Sequence, residues 1–241
     1  MIDWLARDPQ DELTVRVAGH ALPLVIRRHS TAKRMTLRLA PDGREVRITI
    51  PRWGRTADAL AFAESRTDWL SRQHAAIPPA EPARNGGMIS FRGECVTICL
   101  KPDAPRSPVL EHGRLVLGGP DASLGNRVRR WLQGEAHAVC SADLDSYCAI
   151  AKVAAPPLAL SNAKRRWGSC SPSGSIRINW RLIMAPDYVR RSVVAHEVAH
   201  LVHLDHSPQF HAALTCIYDG DLDAANRWLK AEGRSLYRGF G

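Results

Sequence analysis

No stretch of the chain approaches the roughly 20 consecutive apolar residues of a membrane span, although 45% of its residues are hydrophobic. The opening run MIDWLARDPQ carries Asp3 and Asp8 and lacks the basic start and apolar core of a secretory signal. A soluble, cytoplasmic protein with no membrane partner is expected. The six cysteines, Cys95, Cys99, Cys140, Cys148, Cys170 and Cys216, form no CxxC pair and lack the dense spacing of a disulfide scaffold. Free thiols are expected, and stability must come from a core that 241 residues are long enough to build. Internal repeats and low-complexity tracts are also missing.

The net charge of +9 raises the question of a nucleic acid or other polyanion. Residues 1–120 hold 18 basic and 13 acidic side chains and residues 121–241 hold 15 and 11, so neither half is a basic tail. Arginine greatly outnumbers lysine. The charge leaves nucleotide or nucleic-acid contact open without arguing for it, and oligomeric state is not legible.

The pattern along the chain reads as an α+β fold: a β-rich N-terminal region with one helix (1–120), then a second domain (121–241). Leu13–Val17, Leu22–Arg27, Met35–Leu39 and Val46–Ile50 are short and β-branched, and Pro41-Asp42-Gly43 turns between the last two. A helix is expected from Thr56 to Ala76, with Leu60, Ala63, Trp69 and Leu70 as its apolar stripe, before Pro78, Pro79 and Pro82 break it. A second β section spans Met88 to Leu117, where Cys95 and Cys99 share one strand face and read as packing. A long helix over Leu124–Ile150 precedes two expected strands, Leu158–Trp167 and Ser175–Met184, joined at Ser171-Pro172-Ser173-Gly174. In the second, Ile176, Ile178, Trp180, Leu182 and Met184 share a core face, while Arg177, Asn179 and Arg181 face solvent or a cleft.

The chemistry lies in the next helix, which begins at Pro186 and carries His196-Glu197-Val198-Ala199-His200. Proline suits the first helical position, and Asp187 complements the positive end of the dipole. Val194, Val198 and Leu201 form its buried stripe. Two histidines four apart lie about 40° apart around the axis, one turn of rise between them, so both imidazoles can reach one zinc ion at about 2.0–2.1 Å. Glu197 is poorly placed as a ligand but well placed to accept a proton from metal-bound water. With 10 histidines in the chain, about 0.015 HExxH matches would arise by chance.

A catalytic zinc usually takes a third protein ligand. His203 shares a face with His196 but sits about 10.5 Å along the axis, too far for one compact site. His206, six residues past His200 where Leu204-Asp205-His206-Ser207-Pro208 can turn back, is the expected ligand, and His211 is the reserve, otherwise a helix-surface or cleft-lining residue. The cluster Asp219-Gly220-Asp221-Leu222-Asp223 lacks a calcium-binding loop and reads as a helix cap.

Arg166-Trp167-Gly168-Ser169-Cys170, Ile178-Asn179-Trp180-Arg181-Leu182, the HEVAH helix and Asp205-His206-Ser207-Pro208-Gln209-Phe210 together resemble the YgjP-like metallopeptidases, relatives of the SprT-like proteases. The resemblance is close over residues 125–215 and weaker around Arg27–Pro51 and Trp69. It implies a zincin-like catalytic domain with His196, His200 and His206 on zinc and Glu197 as acid/base. Two positions depart from the family pattern: Asp205 where asparagine is common, and His211 where tryptophan is common. Asp205 could hydrogen-bond a ligating imidazole or stand exposed at the helix exit.

Arg166, Trp167, Gly168, Ser169 and Asn179 are the candidate substrate contacts. A strand beside the active helix can pair with an extended peptide, and Gly168 permits close backbone approach. Their structural reading makes Trp167 a core anchor, Gly168 a bend and Cys170 a small buried residue rather than a nucleophile. Three functions remain: a zinc metallopeptidase on a peptide or protein substrate, the first expectation, with an arginine or backbone donor steadying the oxyanion; a zinc hydrolase of nucleoside triphosphates or other phosphoanhydrides, bound through Lys164, Arg165, Arg166, Arg177 or Arg181; or a nucleic-acid- or protein-binding module with a structural zinc.

Overall fold

The short β-branched runs near the start of the chain form strands β1 (Thr14–Val17), β2 (His20–His29), β3 (Thr36–Leu39) and β4 (Val46–Pro51). The structure, a computed structural model, describes residues 13–40, 43–75, 82–164, 166–237 and 239–240. The leader MIDWLARDPQ, Pro41 and Asp42 of the expected turn, Pro78 and Pro79 of the expected break, and Arg165 lie outside the described residues. β1 and β2 form one antiparallel hairpin, β3 and β4 another, and the inner pair β2–β4 runs parallel, with Ile26 opposite Ile48. Val15, Val17, Val46, Ile48 and Ile50 alternate into a core closed by Ala59, Ala63 and Leu70.

Those last three lie on two helices, α1 (Thr56–Glu64) and α2 (Thr67–Ala75), where the pattern predicts one. The break is local chemistry. Ser65 Oγ donates to the Phe62 carbonyl at 2.8 Å and Thr67 Oγ1 to the Glu64 carbonyl at 2.7 Å, so two hydroxyls compete with the helical ladder at consecutive turns. Trp69 is 38% exposed and sits outside the stripe.

The compact units divide between Pro79 and Ala80, not at residues 120/121. The second β section, β5 (Met88–Phe91), β6 (Glu94–Leu100), β7 (Val109–Glu111) and β8 (Arg114–Leu117), belongs to the C-terminal unit. The reason is burial: Ile89, Phe91, Val96, Ile98, Leu115 and Leu117 share one core with α3 (Leu124–Ala151). Its strand order, β5-β6-β8-β7, repeats the topology of the first sheet, although no repeat is visible in the sequence. Val96 and Ile98 supply the packing face of β6; Cys95 and Cys99 lie on the other, and all six cysteines are free. Along α3 the buried positions Leu124, Val128, Leu132, Ala136, Cys140, Leu144 and Cys148 recur every four residues, a single stripe.

The two strands expected after α3 are three. β9 (Leu158–Ser161) pairs parallel with β11 (Ile176–Asn179), and β10 (Gly168–Cys170) pairs antiparallel on its other side, leaving β10 at the sheet edge. Asn179 ends β11: its side chain accepts from the Arg181 N–H at 3.1 Å and turns Trp180–Met184 into a 3₁₀ helix. Arg181 therefore does not face a cleft. It is 1% exposed, its guanidinium lies 4.5 Å from the Trp180 ring centre and 4.6 Å from that of Tyr237, and it donates to Asn162 Oδ1 at 2.6 Å.

Helix α4 (Asp187–Val202) carries the HEVAH sequence, and its start is fixed from two sides. The β5–β6 turn has both central residues in the left-handed region, Arg92 at φ 52° and Gly93 at φ 86°. A Cβ on Gly93 would stand 3.0 Å from Pro186, so glycine lets this turn press against the helix N-terminus. Arg92 Nε then donates to Asp187 at 3.0 Å, and Arg190, 2% exposed, joins Asp187 to Asp143 of α3. Helices α5 (Pro208–Ile217) and α6 (Leu222–Glu232) complete the unit. Asp221 caps α6, its carboxylate accepting from the Ala224 N–H at 2.8 Å, as the acidic cluster predicts.

Candidate metal centre

Val194 and Val198 bury one side of α4, which leaves His196 and His200 projecting from another. The helix ends at Val202, and five residues later Ser207 caps α5 by accepting from the Phe210 N–H at 3.4 Å. Between these helices His206 turns back to the pair. The nearest ligand atoms of His196, His200 and His206 all lie within 4.8 Å of one another, and the Nε2 atoms of His206 and His196 are 3.3 Å apart. Two nitrogens bound tetrahedrally at about 2.05 Å would be separated by about 3.3 Å. The donor set fits zinc.

Hydrogen bonding and burial prepare the rings. His200 Nδ1 donates to the His203 carbonyl at 3.0 Å, which leaves the Nε2 lone pair for a ligand. Burial, reinforced by the neighbouring imidazoles of His200, His206 and His211, pushes His196 down to about 4, so it is neutral, as a ligand must be. Phe210, fully buried, packs beneath all three rings with centroids 5.0, 4.5 and 4.8 Å from His196, His200 and His206.

Glu197 stands beside the group, 6% exposed. Burial pushes it up to about 7, against a hydrogen bond from the Cys170 backbone and the charge of Arg166. Its carboxyl lies directly on strand β10: a Cβ on Gly168 would be 2.3 Å from Glu197 Oε1. The glycine makes room for the glutamate. A cleft of about 460 Å³ opens here, lined by Trp167, Gly168, His196, Glu197, Phe210 and His211 among others.

With this geometry in place, the comparisons decide the family: residues 33–232 match the YgjP-like metallopeptidase domain. The chain belongs to the YgjP-like family. A structural similarity to the crystal structure of the metallopeptidase zymogen of Pyrococcus abyssi abylysin covers 42% of this chain and 99% of that one, at 18% identity and a TM-score of 0.35. No curated protein matches the chain.

In this YgjP-like chain the remaining expected residues divide. Trp167 and Gly168 line the cleft, and Ser169 lies half-buried on β10. Arg166 is exposed and close enough for its charge to act on Glu197. Asn179 is not available to a substrate. It is completely buried, and its Nδ2 donates to the Ala163 carbonyl at 2.8 Å and to Tyr237 Oη at 3.3 Å, holding the loop before β10. Trp167 combines its two readings, facing the cleft while its ring packs 5.7 Å from that of Tyr237. His203 gives its carbonyl to His200, and His211 lines the cleft outside the three-histidine group. Asp205, exposed, accepts from the Ser207 N–H at 3.3 Å. The Cys170 thiol is pushed up by burial and then by the charge of Glu197, the wrong direction for a nucleophile.

Sequence reasoning passed over Phe210 as a support for the three imidazoles and missed Ser192, Val193, Leu214, Asn226 and Leu229 on the cleft wall. Phe210 and Leu214 are four apart on α5, a helical signal that gives a buried face without naming what it covers.

Proposed function

We propose that the chain is a zinc-dependent peptidase of zincin type, with His196, His200 and His206 as ligands and Glu197 as general base. One observation carries the reading: a buried carboxyl outside the group of three convergent imidazoles lies against the backbone of an edge strand in the same cleft. Zinc, when bound, supplies a Lewis acid that polarises a carbonyl and makes water more acidic. Glu197 accepts the proton of the attacking water and returns it to the leaving amine. The outer edge of β10 offers backbone donors and acceptors to an extended peptide, which favours a peptide or protein substrate. Trp167 and Leu214 supply apolar wall for its side chains.

The phosphoanhydride reading loses ground, because Arg181 is buried and already engaged by Asn162. A structural zinc usually fills four positions with protein ligands, and among the described residues this group stops at three.

The test is elemental analysis of wild type, His206→Ala and Glu197→Gln, followed by product analysis on a peptide library and a nucleotide panel. About one zinc per chain in wild type and Glu197→Gln, loss in His206→Ala, and peptide cleavage abolished by either substitution are expected. Cleavage of nucleotides with peptides untouched would sink the peptidase assignment, and full zinc occupancy in His206→Ala would sink the ligand set.

A further inference from the structure

A second hollow, of about 640 Å³, opens at the N-terminal end of α3 and shares no lining residue with the metal cleft. Arg106, Arg127 and Arg130 line it with Ser107, Ser123 and Trp131, and among the described residues no carboxylate does. Its size is within the range of small-molecule sites, about 300–1,000 Å³.

Arg127 is the decisive residue. It is 6% exposed, and its Nη1 donates to the Pro120 carbonyl at 2.9 Å and to Ser123 Oγ. Its Nε and Nη2 are buried with no hydrogen-bond partner among the described residues. A buried cation with two unmet donors is costly, and an oxyanion is the group that would satisfy it. Arg106 and Arg130 are exposed and make no ion pair among the described residues, so both can turn onto a ligand seated against Arg127. The first turn of α3 holds no acidic residue, and Asp121 just before it is exposed and outside the lining. The half-buried Trp131, its ring 4.8 Å from that of Phe91, makes a firm apolar wall.

We propose that this hollow binds a small phosphorylated compound, its phosphate or diphosphate group held by Arg106, Arg127 and Arg130. Three guanidinium groups match an oxyanion of two or more charges, whereas one carboxylate would leave most of that charge unmet.

The experiment is calorimetric titration of the full-length, zinc-loaded chain with inorganic phosphate, diphosphate and citrate. Wild type is compared with Arg106→Ser, Arg130→Ser, the double variant, Arg127→Met and His206→Ala. Diphosphate is expected to bind with Kd weakened about tenfold or more by each single serine substitution and abolished in the double variant. Binding should persist in His206→Ala, which separates the hollow from the metal centre. The two serine substitutions fall on exposed side chains, so the test stands even if Arg127→Met folds poorly. Unchanged affinity in the double variant, binding lost with His206 instead, or no binding of phosphate and diphosphate would each overturn the site. Citrate binding as tightly as diphosphate through the same arginines would overturn the phosphate assignment.

Discussion

Gly168→Ala isolates the contact between β10 and Glu197. The backbone at 168 lies outside the left-handed region, so alanine meets no conformational penalty there and the effect must come from the added methyl. That methyl would stand 2.3 Å from Glu197 Oε1, 2.7 Å from Cγ and 2.8 Å from Cδ, where ordinary contact begins at 3.4 Å. The carboxyl must therefore retreat by roughly 1 Å, and its hydrogen bond from Cys170 goes with it. A displacement of about 1 Å in a reacting group costs about 10²-fold in rate, or about 2.7 kcal/mol of transition-state stabilisation. Because the three atoms nearest the added methyl all belong to Glu197 and none to a histidine, zinc content should be unchanged. The assay is kcat/KM on a peptide from the library screen, with zinc measured on the same preparation. Wild-type turnover in Gly168→Ala would refute the claim that Glu197 must occupy this position; loss of zinc together with activity would mean the strand supports the ligands rather than the base.

Phe210→Leu should keep the fold at a cost below about 1.5 kcal/mol while removing the flat surface beneath three imidazoles, weakening zinc binding about tenfold. Competition with a chromophoric chelator reads this, and unchanged affinity would show that the ring only fills space. At Asp187, burial alone would raise the carboxyl, but the hydrogen bonds and charges of Arg92 and Arg190 outweigh it and hold the group below its ordinary value of 3.8. A depressed carboxylate contributes stability that is fully present above its unfolded value and is lost as pH falls through the folded one. The urea-midpoint gap between wild type and Asp187→Asn should therefore be at its full width from about pH 5 upward and shrink below about pH 4; a gap that widens on acidification would contradict the sign.

What the sequence discloses of the site is what one element encodes. His196, Glu197 and His200 lie within five residues of one helix, so their relative placement comes from helical geometry before any tertiary contact is known. His206 was legible for a related reason: four residues between the end of α4 and the cap of α5 leave little choice but a tight return. The long helix expected over Leu124–Ile150, which forms as α3, is likewise a property of one element. Asn179 and Arg181 show where this stops. Strand alternation places them opposite Ile178 and Trp180, hence on an open face, but alternation holds only while the strand continues. Asn179 ends it by capping the next turn, and Arg181 is then carried into the interior between two aromatic rings. The unit boundary was missed for a nonlocal reason too. The strands from Met88 to Leu117 look like those before Thr56, and only the shared core with α3 assigns them to the unit that holds the metal centre. Gly168 joins the two scales. Its sequence context marks a close approach, yet what approaches is the buried glutamate of another element, so the glycine that looks like a substrate contact also sets where that glutamate can stand.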